Sequence, residues 1–248
     1  MIHIKTPEEI EIMRAGGKIL ARVLRTVADE AKEGVNLLEL DQRIESLIRA
    51  SGGTPSFKGY RRYPAASCLS VNDEVVHGLP RDYALKQGDL LSIDIGVYYE
   101  WFHTDAALTI GIGHISSKAR DLLEVTRHSL ELALHMVRPG VTLGDLGHAI
   151  EAFAKEHNMG VVRELVGHGV GRELQEEPQI PNFGLKGKGV MLEEGMTLAI
   201  EPMLTAGKET VFVAEDNFTF KTKDSSLAAH FEHTVAVTED GCEVLTTL

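Results

Sequence analysis

Two apolar periods divide the chain, one helical and one strand-like. Ile10, Met13, Gly17, Leu20, Leu24 and Val27 recur at helical spacing behind Thr6-Pro7-Glu8-Glu9, a capping box with proline at the first helical position, so a helix is predicted to about Ala31. Gly34-Val35-Asn36 restarts a helix through Leu37, Leu40, Ile44, Leu47 and Ile48, and Gly52-Gly53 stops it. From Pro55 to Val97 the pattern breaks into short β-rich pieces. A third helix is predicted over about Ser117 to Val137. Pro139-Gly140-Val141-Thr142 then opens a fourth, with Asp145 completing its cap.

The strand-like runs each carry an acid where none belongs. Asp94 sits among Leu90, Leu91, Ile93, Ile95 and Val97, and Asp105 follows beyond a turn-like Tyr98 to Trp101, so a hairpin can bring the two together. Glu201 ends the run Met196, Leu198, Ala199, Ile200, and Glu232 lies among Phe231, Val235 and Val237. An unpaired carboxylate buried in such a run costs several kcal/mol or is protonated. An ion pair is the ordinary explanation for any one of them, but these runs supply no matching Lys or Arg. Four acids in want of a cation suggest a metal site.

The halves also resemble each other. Gly34 to Leu40 aligns with Gly140 to Leu146, Ile44-Glu45 with Ile150-Glu151, and Gly88 to Asp94 with Gly195 to Glu201. Each half then reads His, acid, acid: His77, Asp94, Asp105 and His168, Glu201, Glu232. The expectation is a single α+β domain, 1–248, of two pseudo-two-fold related halves, roughly 1–110 and 111–248, whose acids meet at the centre of a sheet.

Composition removes several alternatives. With 248 residues, a net charge of −12 and only 25 Lys and Arg, the chain has length for a large core and no nucleic-acid surface is expected. The first residues lack a signal-peptide core, and nowhere do about 18 apolar residues run together. Cys68 and Cys242 stand alone, without disulfide or thiolate-zinc spacing, so a reducing cytoplasm is expected. No heptad seam asks for a partner, so a monomer is expected.

Four carboxylates with one or two imidazoles are too oxygen-rich for structural zinc. They suit two divalent ions that lower the pKa of a shared water and polarise a carbonyl, which points to amide or ester hydrolysis. The oxygen-rich donors could accept Mn, Fe, Co or Zn. No arginine cluster or glycine-rich helix start is present to hold a phosphate. His3, His114, His128, His135, His148 and His157 read as surface or core residues. His103, His230 and His233, beside the acids, read as partners that orient carboxylates rather than as ligands.

Val75-Val76-His77-Gly78-Leu79-Pro80, Ser92 to Gly96, His103-Thr104-Asp105, Gly167-His168-Gly169-Val170-Gly171-Arg172, Leu198 to Met203 and Phe231-Glu232-His233-Thr234 together resemble type I methionine aminopeptidase over essentially the whole chain. The resemblance implies the pita-bread fold, a central antiparallel sheet flanked by helices. It implies removal of initiator methionine from nascent polypeptides in the cytoplasm, with a ribosome contact, by a hydroxide bridging two metal ions. It assigns Asp94, Asp105, His168, Glu201 and Glu232 as ligands, Asp105 and Glu232 bridging, and Glu201 also as acid/base. His77 becomes a substrate contact, where the repeat alone would make it a ligand. Tyr60, Tyr63, Cys68 and Phe218, with Leu174, match the methionine pocket, although Leu174 and Phe218 stand where larger aromatics are common; a thiol and aromatic edges suit a thioether.

One residue departs from the family pattern. Gln175 stands where the family places a histidine against the substrate carbonyl. Losing an oxyanion donor costs on the order of 3 kcal/mol, and a neutral donor in its place costs less, so reduced but measurable turnover is implied. The alternatives are a proline-type aminopeptidase of the same fold, usually with a large N-terminal domain, and a weakly active or non-catalytic binding relative.

Overall fold

Helices form where apolar period and capping residues coincide, as seen in a computed structural model describing residues 1–248. α1 (Pro7–Glu30) opens on the Thr6 box, in which the Thr6 hydroxyl accepts the Glu9 amide and the Glu9 carboxylate accepts the Thr6 amide. α2 (Leu37–Ala50) begins after Asn36, whose side chain accepts the Leu38 amide. α3 (Ser117–Met136) is capped by Ser116, and α4 (Leu143–Glu156) repeats the box with Thr142 and Asp145. No helix is long and apolar enough to cross a membrane.

These helices cover a nine-stranded antiparallel sheet. Its order runs Thr54–Pro55, Leu90–Tyr99, Phe102–Gly111, Glu232–Val237, Thr197–Ile200, Gly167–Gly169 and Glu176–Ile180, with Cys68–Val71 added to the second strand and Cys242–Val244 to the fourth. The two longest strands are joined by Glu100 and Trp101, both left-handed (φ 43° and 76°), a two-residue turn whose twist suits a hairpin. Alternation then divides the faces. Leu91, Ile93, Ile95 and Val97 pack with α1 and α2 in a core of 19 buried residues, and Leu198, Ile200, Val235 and Val237 pack with α3 and α4 in a second of 13. The acids are left on the other face.

The halves meet along Phe102–Gly111 and Glu232–Val237, where only Ala106–His233 and Ala107–Glu232 are in register. Two buried threonines extend this short seam. Thr234 Oγ1 accepts the Asp105 amide at 2.9 Å and donates to the Asp105 carbonyl at 2.8 Å. Thr109 Oγ1 makes the same pair of bonds with the backbone of His230, at 2.8 Å each. This dyad relates Asp105 to His230 and Glu232 to Ala107, so the third member of the His, acid, acid order is not equivalent between halves.

His77 is likewise not the counterpart of His168. Ser70 faces Ser92 as His168 faces Ala199, so with Asp94 and Glu201 aligned the mate of His168 is Ser70. His77 lies beyond the strand Glu74–Val76, which leaves the main sheet to pair with Phe220–Thr222, and it takes a left-handed φ of 57°. That excursion was invisible in the residue order.

Replacing Thr234 by valine keeps volume but strips the partners from a buried amide and carbonyl, each costing roughly 1–3 kcal/mol when unsatisfied. Thr234→Val is therefore expected to lower unfolding free energy by about 2–4 kcal/mol, measured by urea denaturation; a loss under about 0.5 kcal/mol would show that the seam does not depend on this bond.

Candidate metal centre and its pocket

The sheet register brings the expected acids together. Asp94 faces Ala107 and Asp105 faces Gly96, so the two carboxylates are diagonal neighbours on one face of the hairpin. Glu232 faces the same Ala107 from the other side. Glu201 follows directly on Thr197–Ile200, where Pro202 cannot extend the ladder, and His168 faces Ala199. One oxygen of Asp105, one of Glu232 and one nitrogen of His168 all lie within 4.8 Å of one another. His168 Nε2 is 3.7 Å from Glu201 Oε1.

Electrostatically this cluster is uncompensated. Asp94 Oδ1, Asp105 Oδ1 and Glu232 Oε1 are buried without any hydrogen-bond partner, and no Lys or Arg pairs with the four acids. Burial raises the pKa of Asp105, Glu232, Asp94 and Glu201 above the ordinary carboxylate range. The neighbouring acids push Asp105 and Glu232 further up, whereas His230 partly offsets the rise at Asp94 and His168 that at Glu201. His168 Nδ1 lies 2.9 Å from the Gly169 carbonyl, an acceptor that fixes the proton there and leaves the Nε2 lone pair facing the acids. Orphaned oxygens around one basic imidazole nitrogen fit divalent cations.

The cluster forms the floor of a cavity of about 410 Å³. All the pocket residues named from the sequence line it: Tyr60, Tyr63, Cys68, His77, Leu174, Gln175 and Phe218. Tyr63, Cys68 and Leu174 pack with Phe57 and Ala65 as a small apolar cluster, and Phe218 sets its ring edge-on to Tyr63 at 5.3 Å. The Tyr63 hydroxyl shares its proton between the carbonyls of Ser67 (3.1 Å) and Gly78 (3.0 Å), which fixes the backbone beside His77. Burial, aided by the neighbouring His230, His168 and Arg61, lowers the His77 pKa to about 4, so its imidazole is neutral at neutral pH. Burial also drives the Cys68 thiol well up, keeping it protonated. Gln175 is exposed at the mouth, and its amide oxygen accepts the Tyr60 hydroxyl at 3.3 Å, leaving the NH₂ free to donate.

Of the three histidines expected beside the acids, only His230 touches them. Its Nε2 lies 3.4 Å from Glu201 Oε2 and 4.0 Å from Glu232 Oε2, with both ring nitrogens buried and otherwise unpaired. His103 Nδ1 instead meets Ser56 Oγ at 2.9 Å, and His233 Nδ1 meets Thr246 Oγ1 at 2.8 Å. Sequence reasoning missed Phe57, Val76, Leu165 and Met203 in the lining, and Arg61 and Glu164 at it. No local period marks them. His230 did leave a signal, since it stands two residues before Glu232 in a strand-like run.

Known proteins resemble the chain over its whole length. The model of metallopeptidase family M24 matches residues 11–239. Methionine aminopeptidase 1 of Bacillus subtilis is 46% identical over 99% of both chains, and the methionine aminopeptidase of Escherichia coli is 42% identical over 99% of this chain and 94% of its own. The crystal structure of methionine aminopeptidase from Thermotoga maritima superposes with a TM-score of 0.99 at 46% identity over the whole of both chains. Prolidase from Pyrococcus furiosus shares the fold more distantly, with a TM-score of 0.80 and 26% identity over 65% of its length. End-to-end similarity to the first group, together with the acid cluster under an apolar cavity, establishes that the chain has the pita-bread fold and belongs to metallopeptidase family M24, among the methionine aminopeptidases.

Proposed function

We propose that the protein removes N-terminal methionine from nascent polypeptides, and that Asp94, Asp105, His168, Glu201 and Glu232 would hold two divalent ions. The observation that carries this reading is the uncompensated acid cluster at the floor of the apolar cavity. Bound there, the ions supply Lewis acidity and a water acidic enough to ionise near neutral pH. Mn, Fe, Co and Zn all suit the donors. A monomer of one catalytic domain, working in the cytoplasm and meeting chains at the ribosome, belongs to the same reading.

The chain's own groups divide the remaining work. Glu201 would take the proton of the attacking water and deliver it to the departing nitrogen. Neutral His77 hydrogen-bonds the scissile amide. The NH₂ of Gln175 donates to the substrate carbonyl, where it can stabilise developing negative charge as a dipole but not as a cation. Tyr63, Cys68, Leu174 and Phe218 receive the methionine side chain. A protonated thiol and ring edges favour a polarisable thioether over a charged or branched side chain.

The reading is tested by stripping the protein of metal, resupplying Mn, Co, Fe or Zn, and assaying a Met-Gly-x peptide beside a Pro-x peptide. Metal-dependent release of methionine alone is expected; silence on both with two metals bound would refute it. Gln175→His is expected to raise kcat by up to about tenfold, a fraction of the roughly 3 kcal/mol a full oxyanion donor contributes, whereas an unchanged or lower kcat would mean that position 175 does not reach the carbonyl.

Stability should follow the acids. Because folding raises their pKa, these four acids bind more protons in the metal-free native state than in the unfolded chain, so their contribution to stability is greatest below the unfolded carboxylate value of about 4 and declines as pH rises above it. Divalent metal, which binds the ionised form, should reverse that trend, its stabilisation increasing from about pH 5 to pH 7. The gap between thermal unfolding curves recorded with and without Mn is expected to widen across this range; parallel curves would place the metal elsewhere.

A further inference from the structure

The N-terminal segment contains a feature with no part in the chemistry above. Lys5, just before α1, forms an ion pair with Glu176 in which both side chains are only 4% exposed and Nζ stands 2.5 Å from Oε2. The ammonium also donates to the His3 carbonyl at 3.1 Å, and the other Glu176 oxygen accepts the Glu173 amide at 3.2 Å. A pair so buried is weak evidence for stability, since desolvation offsets much of its attraction; removing one partner, however, strands a buried charge. Its surroundings are built to admit it. A Cβ on Gly171 would collide with Lys5 Cε and Nζ and with Glu176 Oε1, and Lys5 is itself tied by its backbone amide to the Gly195 carbonyl at 2.8 Å.

The anchored turn, 173–176, carries two residues of the substrate site. Leu174 is part of the apolar wall and Gln175 stands at the mouth, between the Glu173 amide and the Glu176 carboxylate that clamp the turn. Glu176 also begins the strand that pairs with Gly167–Gly169, facing Gly169 across a register shift beside His168. Only the 3.3 Å bond from Tyr60 holds the Gln175 side chain directly. A neutral amide must be well aimed to stabilise an oxyanion, because it lacks the long-range attraction of a cation. Rigid support from neighbouring residues is what supplies such aim.

We propose that Lys5 is a positioning residue for substrate: through its buried ion pair with Glu176 it holds the 173–176 turn so that Gln175 meets the substrate carbonyl. This rests on the aminopeptidase reading, which the unsubstituted protein tests independently by releasing methionine. The experiment is a double-mutant cycle of Lys5→Met and Gln175→Ala, reading kcat and KM on a Met-Gly-x peptide and Mn affinity by calorimetry. Lys5→Met alone is expected to lower kcat/KM about tenfold, but by less than about twofold in the Gln175→Ala background, with Mn affinity unchanged, as coupling through one turn requires. Equal losses in both backgrounds, no loss in either, or a matching loss of Mn affinity would overturn the proposal. If Lys5→Met does not fold, Glu176→Gln takes its place in the cycle, since it removes the negative charge yet keeps an acceptor for the Glu173 amide. The same outcomes then decide.

Discussion

Four carboxylates share one buried face of a sheet, and most of the molecule is arranged around that constraint. The ligand atoms of Asp105 and Glu232 lie within 4.8 Å, where two full charges at an effective dielectric near 20 repel by about 3 kcal/mol or more. An intramolecular hydrogen bond contributes about 1 kcal/mol. No plausible number of ordinary contacts therefore holds four ionised acids here. Either protons or cations must neutralise them, and the orphaned oxygens and oriented His168 favour cations.

Assembling such a site demands long-range precision. Asp94 and Asp105 come from one hairpin, but Glu232, Glu201 and His168 arrive from strands far along the chain. A one-residue slip in any of them would turn its carboxylate or imidazole into the helix-covered core. The two cores of leucine, isoleucine and valine resist that slip, because it would expose the apolar face as well as bury the acid. Thr109 and Thr234 fix the seam at either end, using hydroxyls as backbone partners where the ladder is short.

The pocket depends on tethers of a different kind. Asp41, on α2, accepts the Ala66 and Ser67 amides and the Ser67 hydroxyl with one oxygen, and so holds the segment leading to Cys68. Tyr63 clasps Ser67 and Gly78, and Lys5 reaches the opposite wall through Glu176. Of the side chains that would meet methionine, Cys68 begins a strand of the main sheet while Tyr63, Leu174 and Phe218 stand on irregular backbone, yet each wall is secured by a buried polar contact. Apolar packing alone is too non-directional to aim a hydrogen-bonding group.

Helices and the hairpin were legible in the sequence because their causes are local: capping boxes at Thr6 and Thr142, a restart at Gly34-Val35-Asn36, a period of 3.6, and a turn-like stretch from Tyr98 to Trp101. The acids were legible as misfits, since a carboxylate in an apolar run demands a partner whatever the fold. Tertiary structure alone decided the partners. It moved His77 out of register with His168, related Asp105 to His230, brought His230 to the acids while leaving His103 and His233 aside, and recruited Phe57 and Met203 to the cavity. Strand order and register follow from the joint burial of distant segments, and that cooperative quantity is not written in any one stretch of residues.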